Sequence, residues 1–136
     1  MTLQFSTAVR NAELDVIEST IGVSAVLKVR TGAAPANVAA ADSGTVLATM
    51  NLPSDWMAAA ASGVKAKAGT WSDSSADASG TAGHVRIYAS DGTTAHIQGT
   101  VSALGGAGDF VIDEGLTITA AQTVTVSANT WTCGNP

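Results

Sequence analysis

The residues of this chain that could do chemistry are few, and the first group is an acidic loop. The segment "DSSADASG" (73–80) places oxygen ligands at alternating positions, as the start of a calcium-binding loop does. The glycine comes two places too late, however, and His84 stands where such a loop has its bidentate glutamate. We therefore predict a solvated polar loop without a metal ion.

Two histidines, His84 and His96, could ligate a metal, because the segment "HVRIYASDGTTAHIQGTV" (84–101) has the pattern of a β-hairpin. A three-residue loop at 90–92 would pair Arg86 with His96 and set both histidines on one face as diagonal neighbours. The other side chains near them would be those of Arg86, Tyr88 and Gln98. None of these is a usual zinc ligand, so the sequence predicts structural or surface histidines and no metal.

A catalytic arrangement is not evident elsewhere. Asp109, Asp113 and Glu114 could supply the carboxylate pair of a glycoside hydrolase, but such residues in a loop-to-strand passage are usually solvated. The serines are numerous, yet none stands in a "GxSxG" motif. The sequence therefore predicts no catalytic residue, no enzymatic activity and no cofactor.

Three tryptophans offer a binding hypothesis. An exposed indole can stack on a sugar, and Trp56 directly follows "LPSD", a turn pattern. The chain has few other large residues, so Trp56, Trp71 and Trp131 could instead anchor a core or an interface. Trp56 is kept as a candidate aromatic contact for a ligand or an interface.

The elements that position these side chains begin with a helix at "RNAELDVIESTIG" (10–22). Ser6 or Thr7 can cap its first turn, and Gly22 can end it. One apolar stripe follows the helical period, and it consists of Leu14, Ile17 and Ile21, with Val9 and Val16 widening it. The opposite side carries Asn11, Asp15, Glu18 and Ser19. We predict that the stripe packs on its own domain, on neighbouring subunits or on a host surface.

From residue 25 the apolar period changes to two. "AVLKVRTG" and "GVKAKAG" alternate apolar residues with Lys or Arg, and "LTITA" and "QTVTVSA" alternate them with Thr. Seven or eight such short strands predict a mainly β fold, an antiparallel sandwich or jelly roll with one N-terminal α-helix. The predicted organisation is an arm and amphipathic helix at 1–24 and a β-sandwich domain at 25–136.

Composition narrows the function. Six Lys and Arg against eleven Asp and Glu give a net charge of −5, and no basic cluster suits a phosphate backbone, so nucleic acid is not an expected partner. No apolar run is long enough to span a membrane, and "MTLQFSTAVR" has no signal-peptide pattern. The single cysteine, Cys133, excludes an internal disulfide and is expected to be a free thiol.

Self-association is expected because large side chains are scarce. Only three Trp, two Phe and one Tyr are present, and many strand positions are Ala or Gly. A core filled with small residues buries less apolar area against the entropy of ordering the chain. Contact with further copies would compensate for this.

Several phrases resemble a family of small structural proteins encoded by tailed bacteriophages and prophages. The phrases, within residues 3–108, are "LQFSTAVRNAELDVIESTIG", "RTGAAPAN", "ADSGTVLAT", "LPSDWM" and "GTAGHVRIYASDGTTAHIQGTV". The resemblance implies a virion component, assembled in the host cytoplasm, without enzymatic activity.

Small β-sandwich proteins of virions commonly form trimers on the capsid as decoration or cement proteins, which is a fold-level analogy. The expected partners are therefore further copies in a homotrimer and the major capsid protein or another virion protein. The alternative is a tail, collar or fibre component with a carbohydrate-binding face.

Overall fold

Helix α1 (Thr7–Ile21) opens the computed structural model, which describes residues 2–135. The hydroxyl of Ser6 accepts a hydrogen bond from the N–H of Val9 at 3.3 Å, and this satisfies one of the unpaired donors of the first turn. Gly22 ends the helix at a φ of +91° and donates its N–H to the carbonyl of Glu18. The predicted start and end of the helix are confirmed.

Ten strands follow the helix in the described residues, so the prediction of a mainly β fold with one N-terminal helix is confirmed. They are β1 (Val26–Thr31), β2 (Val46–Asn51), β3 (Val64–Ala66), β4 (Ser72–Asp73), β5 (Gly80–Tyr88), β6 (Ala95–Ala103), β7 (Phe110–Ile112), β8 (Thr117–Ile118), β9 (Val124–Ala128) and β10 (Thr130–Thr132). The count exceeds the predicted seven or eight because several strands have two or three residues, too few for a period of two to show.

Eight strands form one sheet in the order β2-β1-β5-β6-β7-β9-β4, with β8 paired to β5, while β3 and β10 form a separate pair. All pairs are antiparallel except β6 with β7, which is parallel. The outer strands of the sheet meet, because the N–H of Thr49 donates to the carboxylate of Asp73 at 3.0 Å and the N–H of Asp77 donates to the carbonyl of Leu47 at 2.8 Å. The sheet is thereby curled into a sandwich-like or barrel-like domain.

The core contains a cluster of tryptophans. The ring centroid of Trp56 lies 5.9 Å from that of Trp71 and 5.8 Å from that of Trp131. Trp56 has no exposed surface, and its indole N–H donates to the carbonyl of Gly22 at 3.0 Å. Trp56 therefore joins the end of α1 to the core, and its ring is not available for stacking on a sugar in this structure.

The β5–β6 hairpin forms, but its register differs from the predicted one by two residues. Arg86 pairs with Gln98, where the sequence predicted His96, and the register changes again between Ile87 and Tyr88, which pairs with Ala95. The loop is longer than three residues because the carboxylate of Asp91 accepts hydrogen bonds from the N–H groups of Thr93 and Thr94. A shift of two residues preserves the face on which each side chain lies.

Candidate functional site

Helix α1 docks on residues 57–65 through a row of polar side chains, spaced four and three residues apart on one side of the helix. Each accepts a hydrogen bond from a backbone N–H group: Asn11 from Gly63 at 2.8 Å, Asp15 from Ala60 at 3.0 Å and Glu18 from Met57 at 3.1 Å. The sequence pattern placed this row opposite the apolar stripe, yet the row faces the domain. The row thereby satisfies backbone N–H groups of residues 57–65, a segment whose β-pairing is limited to the three-residue strand β3 and isolated bridges.

Lys65 lies beneath this row and is 2% exposed. Its ammonium nitrogen is 2.6 Å from a carboxylate oxygen of Asp15 and 2.9 Å from one of Glu18. Because the lysine points inward, Val64 is 37% exposed, which reverses the inside and outside expected for the alternating "GVKAKAG". The two carboxylates make burial of this cation tolerable.

The charges of this cluster support one another. Burial lowers the pKa of Lys65, but hydrogen bonds and charges from Glu18 and Asp15 outweigh it and hold that pKa above its usual value. The hydrogen bond from Lys65, and then that from the Ala60 N–H, hold the pKa of Asp15 below its usual value. The helix is thus attached by groups that remain ionised near neutral pH.

This docking divides the predicted helix stripe into two parts. Leu14 and Ile21 are buried, and Ile17 is half-buried against the same core. Val9 and Val16, seven residues apart on one side of the helix, are 43% and 56% exposed. The inner part holds the domain together, and only the outer part is available for another molecule.

Further exposed apolar side chains lie in the arm before the helix and just after its end. We call Leu3, Phe5, Val9, Val16 and Val23 the N-terminal apolar face; these are five of the seven exposed large hydrophobic side chains in the described residues. The sequence pattern had identified only the two helical valines. The period-two alternation of "TLQFS" (2–6) was the available signal for the other apolar residues of the arm.

The basic side chains are all used within the chain. Arg30 and Arg86 pair with Asp42, and Lys65 pairs with Asp15 and Glu18. The other three donate to backbone carbonyls: Arg10 to Cys133, Lys28 to Gly92 and Lys67 to Gly69. Eight of the eleven acidic residues have no ion-pair partner in the described residues, so the surface is anionic. Apolar side chains add no like charge where copies meet, although the exposed Glu13 lies between Val9 and Val16 on the helix.

A second buried charge cluster holds the segment 32–45 against β1 and β5. The carboxylate of Asp42 pairs with Arg30 at 2.6 Å and with Arg86, and it accepts a hydrogen bond from the Tyr88 hydroxyl at 2.8 Å. Burial raises the pKa of Asp42, but the hydrogen bonds from Tyr88 and Arg86 and the two guanidinium charges outweigh this, so the pKa lies below its usual value. The cluster has a structural role, since it joins the segment 32–45 to β1 and β5 through these ion pairs and hydrogen bonds.

The two histidines do not come together. His84 is 1% exposed, and its Nδ1 lies 2.9 Å from the carbonyl oxygen of Gly32. His96 is exposed, and His84 pairs with Thr100, four residues further along β6. Across residues 2–135 no three His, Cys, Asp or Glu side chains are grouped so that they could hold a metal ion.

The other acidic candidates bond to the backbone. Asp73 joins β2 to β4 as described above. Asp109 accepts from the N–H of Thr100 at 2.8 Å, and Glu114 accepts from the N–H of Thr125 at 2.8 Å. Asp113 is exposed. These side chains stabilise strand ends and loops in the structure.

Cys133 is a free thiol, and it is half-buried beside α1. Its sulfur donates to a carboxylate oxygen of Glu13 at 2.9 Å, while its carbonyl accepts from Arg10 at 3.1 Å. The hydrogen bond to Glu13, and then burial, raise the pKa of the thiol. The C-terminal segment is therefore attached to the first turns of the helix.

The structure is a small β-rich domain with exposed apolar side chains on its N-terminal arm and helix. No family model, curated protein or solved structure matches the chain. No helix within residues 2–135 has the length and apolar composition that crossing a membrane requires.

Proposed function

We propose that this protein is a bacteriophage virion structural protein, and specifically a capsid decoration protein that binds the head as a homotrimer. The observation that carries the proposal is the N-terminal apolar face, which leaves Val9 and Val16 outside a helix that is otherwise firmly docked. The resemblance of residues 3–108 to phage structural proteins gives the class.

The apolar face supports assembly on energetic grounds. Fully burying a valine, leucine or phenylalanine side chain is worth about 1.5–3 kcal/mol. Five such side chains in the first 23 residues, on a chain whose strands contain many Ala and Gly, are a large surface to leave in water. The domain's own core is built mostly from large side chains such as Trp56, Trp71 and Phe110, contrary to the expectation of a small-residue core, so covering the exposed side chains adds to its stability rather than replacing a missing core.

Charge supports the same location. Because the net charge is −5 and eight acidic groups have no ion-pair partner within residues 2–135, contact between two general surfaces of this protein is repulsive. The apolar side chains add no like charge to such a contact, and Glu13 is the acidic residue between Val9 and Val16. The virion partner, the major capsid protein or another structural protein, would meet the remaining anionic surface with basic or polar groups.

The alternative is a tail, collar or fibre component with a carbohydrate-binding face. Trp56 was its main aromatic candidate, and the burial of that ring removes the specific support for sugar stacking there. A tail component could bind its neighbours through the same N-terminal apolar face, so the position of the protein in the particle must be measured.

The mutational test replaces the two helical valines with aspartate. Val9→Asp/Val16→Asp should leave the domain folded, because both side chains already face solvent. The variant should no longer attach to expanded heads, because two carboxylates would replace apolar contacts of the proposed interface. Leu104→Asp is the matched control, since Leu104 is 67% exposed and lies outside the face. Ile17 and Ile21 are unsuitable, because Ile21 is 7% exposed and its replacement would disturb the core. Undiminished head binding by the valine variant would contradict this role of the face.

Location is tested by a reconstruction of the intact particle together with a count of copies. A decoration protein should appear in hundreds of copies on the head. Tens of copies that remain with isolated tails would favour the alternative, and absence from the particle would overturn the proposal.

A further inference from the structure

Strands β6 and β10 flank a cleft of about 190 Å³. Its walls include Gln98 of β6 and Thr130 of β10, and Phe110 and Trp131 supply apolar surface. β6 pairs with β5 along one edge, but it pairs with β7 only from Val101 onward. The first half of β6 therefore has an edge without a strand partner in residues 2–135.

The direction of the backbone groups on β6 follows from one hydrogen bond. The N–H of Thr100 donates to the carboxylate of Asp109, on the side away from β5. Successive residues of a strand point their backbone groups to opposite edges, so those of Gln98 point the same way as those of Thr100. Gln98 thus presents a backbone donor and acceptor at the cleft.

The same reasoning applies to β10. The carbonyl of Asn129 accepts from Lys67, and the N–H of Cys133 donates to Gly63, so the odd-numbered residues point toward the β3 side. Thr130 lies between them in this alternation and points its N–H and C=O away from β3. β10 has no second strand partner among the described residues. The cleft is therefore bordered by an unpaired strand edge on each side.

Two buried acceptors near these edges also lack partners. The amide nitrogen of Gln98 donates to the carbonyl of Pro35, and that of Asn129 donates to the carbonyl of Asp109, both at 2.8 Å. The amide oxygens of both side chains are buried and have no hydrogen-bond donor among residues 2–135. Buried acceptors are normally satisfied, so a segment that brings N–H groups would suit this place.

The N-terminal arm has the complementary properties. "TLQFS" (2–6) alternates polar and apolar residues as a strand does, yet it belongs to no strand, and Leu3 is 73% exposed. Only Phe5 has both backbone groups bonded, to the side-chain amide of Asn135 at 2.9 and 3.0 Å. The arm is a strand-patterned segment without a sheet.

We propose that the arm of one copy adds as a β-strand in the cleft between β6 and β10 of a second copy. The inference rests on the self-association in the proposed function and names its contact. Backbone groups of the arm pair with Gln98 and Thr130, and an apolar side chain, Leu3 or Phe5, packs on Phe110 and Trp131. Because the arm leads directly into α1, the exchange also brings Val9 and Val16 toward the neighbouring copy.

A mixed cross-linking experiment tests the contact in solution. Leu3→Cys and Thr130→Cys are made on separate chains, each also carrying Cys133→Ser, and the two chains are mixed and oxidised. A disulfide-linked heterodimer is expected. Ser90→Cys, at the exposed hairpin loop, replaces Thr130→Cys in the control mixture and should give little product. Equal product in both mixtures would overturn the proposal. A third chain carries both Leu3→Cys and Thr130→Cys; a disulfide that forms within this chain, with none between the separate chains, would also overturn it.

A backbone variant gives a second measurement. Thr130→Pro removes the N–H that faces the cleft while keeping the bonds to β3, and it should weaken self-association at least tenfold by native mass spectrometry. Thr132→Pro is the matched control, because Thr132 also points away from β3 but lies outside the cleft lining. Tryptophan fluorescence verifies that each variant is folded. Unchanged association of Thr130→Pro, or a wild-type monomer at micromolar concentration, would refute arm exchange.

These outcomes separate the inference from the function. Head attachment without cross-linking would overturn arm exchange and leave the decoration role intact. Cross-linking by a protein that is absent from particles would support arm exchange and overturn the decoration role.

Discussion

The ammonium nitrogen of Lys65 lies 2.6 Å from a carboxylate oxygen of Asp15, on the side of α1 that the sequence pattern assigned to solvent. The lysine is 2% exposed, whereas the Asp15 side chain is 46% exposed. The cation is therefore internal to the domain and its acidic partner is at the boundary. This asymmetry determines how the helix is attached and how its attachment can be broken.

Removing the carboxylates should destabilise the protein more than removing the lysine. Asp15→Asn/Glu18→Gln leaves the buried Lys65 charge unpaired, for which the usual penalty is about 3–5 kcal/mol. Lys65→Met leaves two acidic groups that can still reach water, so the loss should be smaller. Urea unfolding of the three proteins measures both effects. The order is contradicted if Lys65→Met is the less stable variant.

The two charge clusters, that of Asp15 with Lys65 and that of Asp42 with Arg30 and Arg86, predict a loss of stability in acid. The pKa values of Asp15 and Asp42 are both lowered from an ordinary value of 3.8. A carboxyl group with a lowered pKa contributes stability that is fully present above its ordinary pKa and is lost as pH falls through the folded one. We expect the melting temperature to fall as pH drops below about 4. Asp15→Asn/Asp42→Asn should have a lower melting temperature at neutral pH and a flatter acid limb; an unchanged limb would exclude these two groups as its cause.

The alkaline side follows from Lys65. Its pKa is raised from 10.5, so its contribution is fully present below that value and is lost as pH rises through the folded pKa. Undocking of α1 should then appear as a change in tryptophan fluorescence, because Trp56 bonds to Gly22 at the end of the helix. Lys65→Met should lack this alkaline transition, and its persistence would assign it to another group.

Asp42 should be more important than its exposure of 36% suggests. Asp42→Asn leaves the buried guanidinium groups of Arg30 and Arg86 without their shared counterion, and we expect a loss of about 3 kcal/mol in unfolding free energy. Asp55→Asn, at an exposed position, is the matched control and should change it by less than about 0.5 kcal/mol. Equal effects in the two variants would contradict a structural role for the cluster.

Cys133 should react slowly with alkylating reagents. Glu13 holds the thiol pKa above its ordinary value, so Glu13→Gln should lower that pKa. At a fixed pH below the pKa the thiolate fraction should then rise about tenfold for each unit by which the pKa falls, and the alkylation rate should rise by about threefold because a less basic thiolate is less nucleophilic. Asp55→Asn again serves as the control. A rate that is insensitive to Glu13→Gln would contradict the role of this hydrogen bond.

Trp56→Ala should act on stability rather than on a surface. The fully buried ring contacts two other tryptophans, and removal of a buried aromatic side chain costs about 3–5 kcal/mol. A variant that remained as stable as wild type and lost sugar binding would restore the binding hypothesis for this residue. Thermal unfolding and a glycan array measure the two properties separately.

Local features of the fold could be predicted from the sequence. Ser6 and Gly22 determine where the helix begins and ends because their groups act on backbone atoms a few residues away. The period of two likewise indicates strands, since it reflects the geometry of each strand itself. Strands β1 and β9 lie where this period was found, and β5 and β6 lie where the hairpin was predicted.

Partners distant in the sequence were decided only by the tertiary structure. Asp15 meets Lys65 fifty residues away, and this contact reversed both the helix face and the strand face that local polarity had indicated. The hairpin register likewise depended on how Asp91 bonds to Thr93 and Thr94.

By itself, the sequence determined one capped helix, a mainly β domain and an excess of acidic residues. The tertiary structure decided which apolar residues remain outside, because Asn11, Asp15 and Glu18 attach the helix by their polar side and turn Val9 and Val16 to solvent. A polar side chain can be buried when it has a hydrogen-bonding or ion-pair partner. The pattern of polar and apolar residues along the sequence does not show which distant residue that partner is.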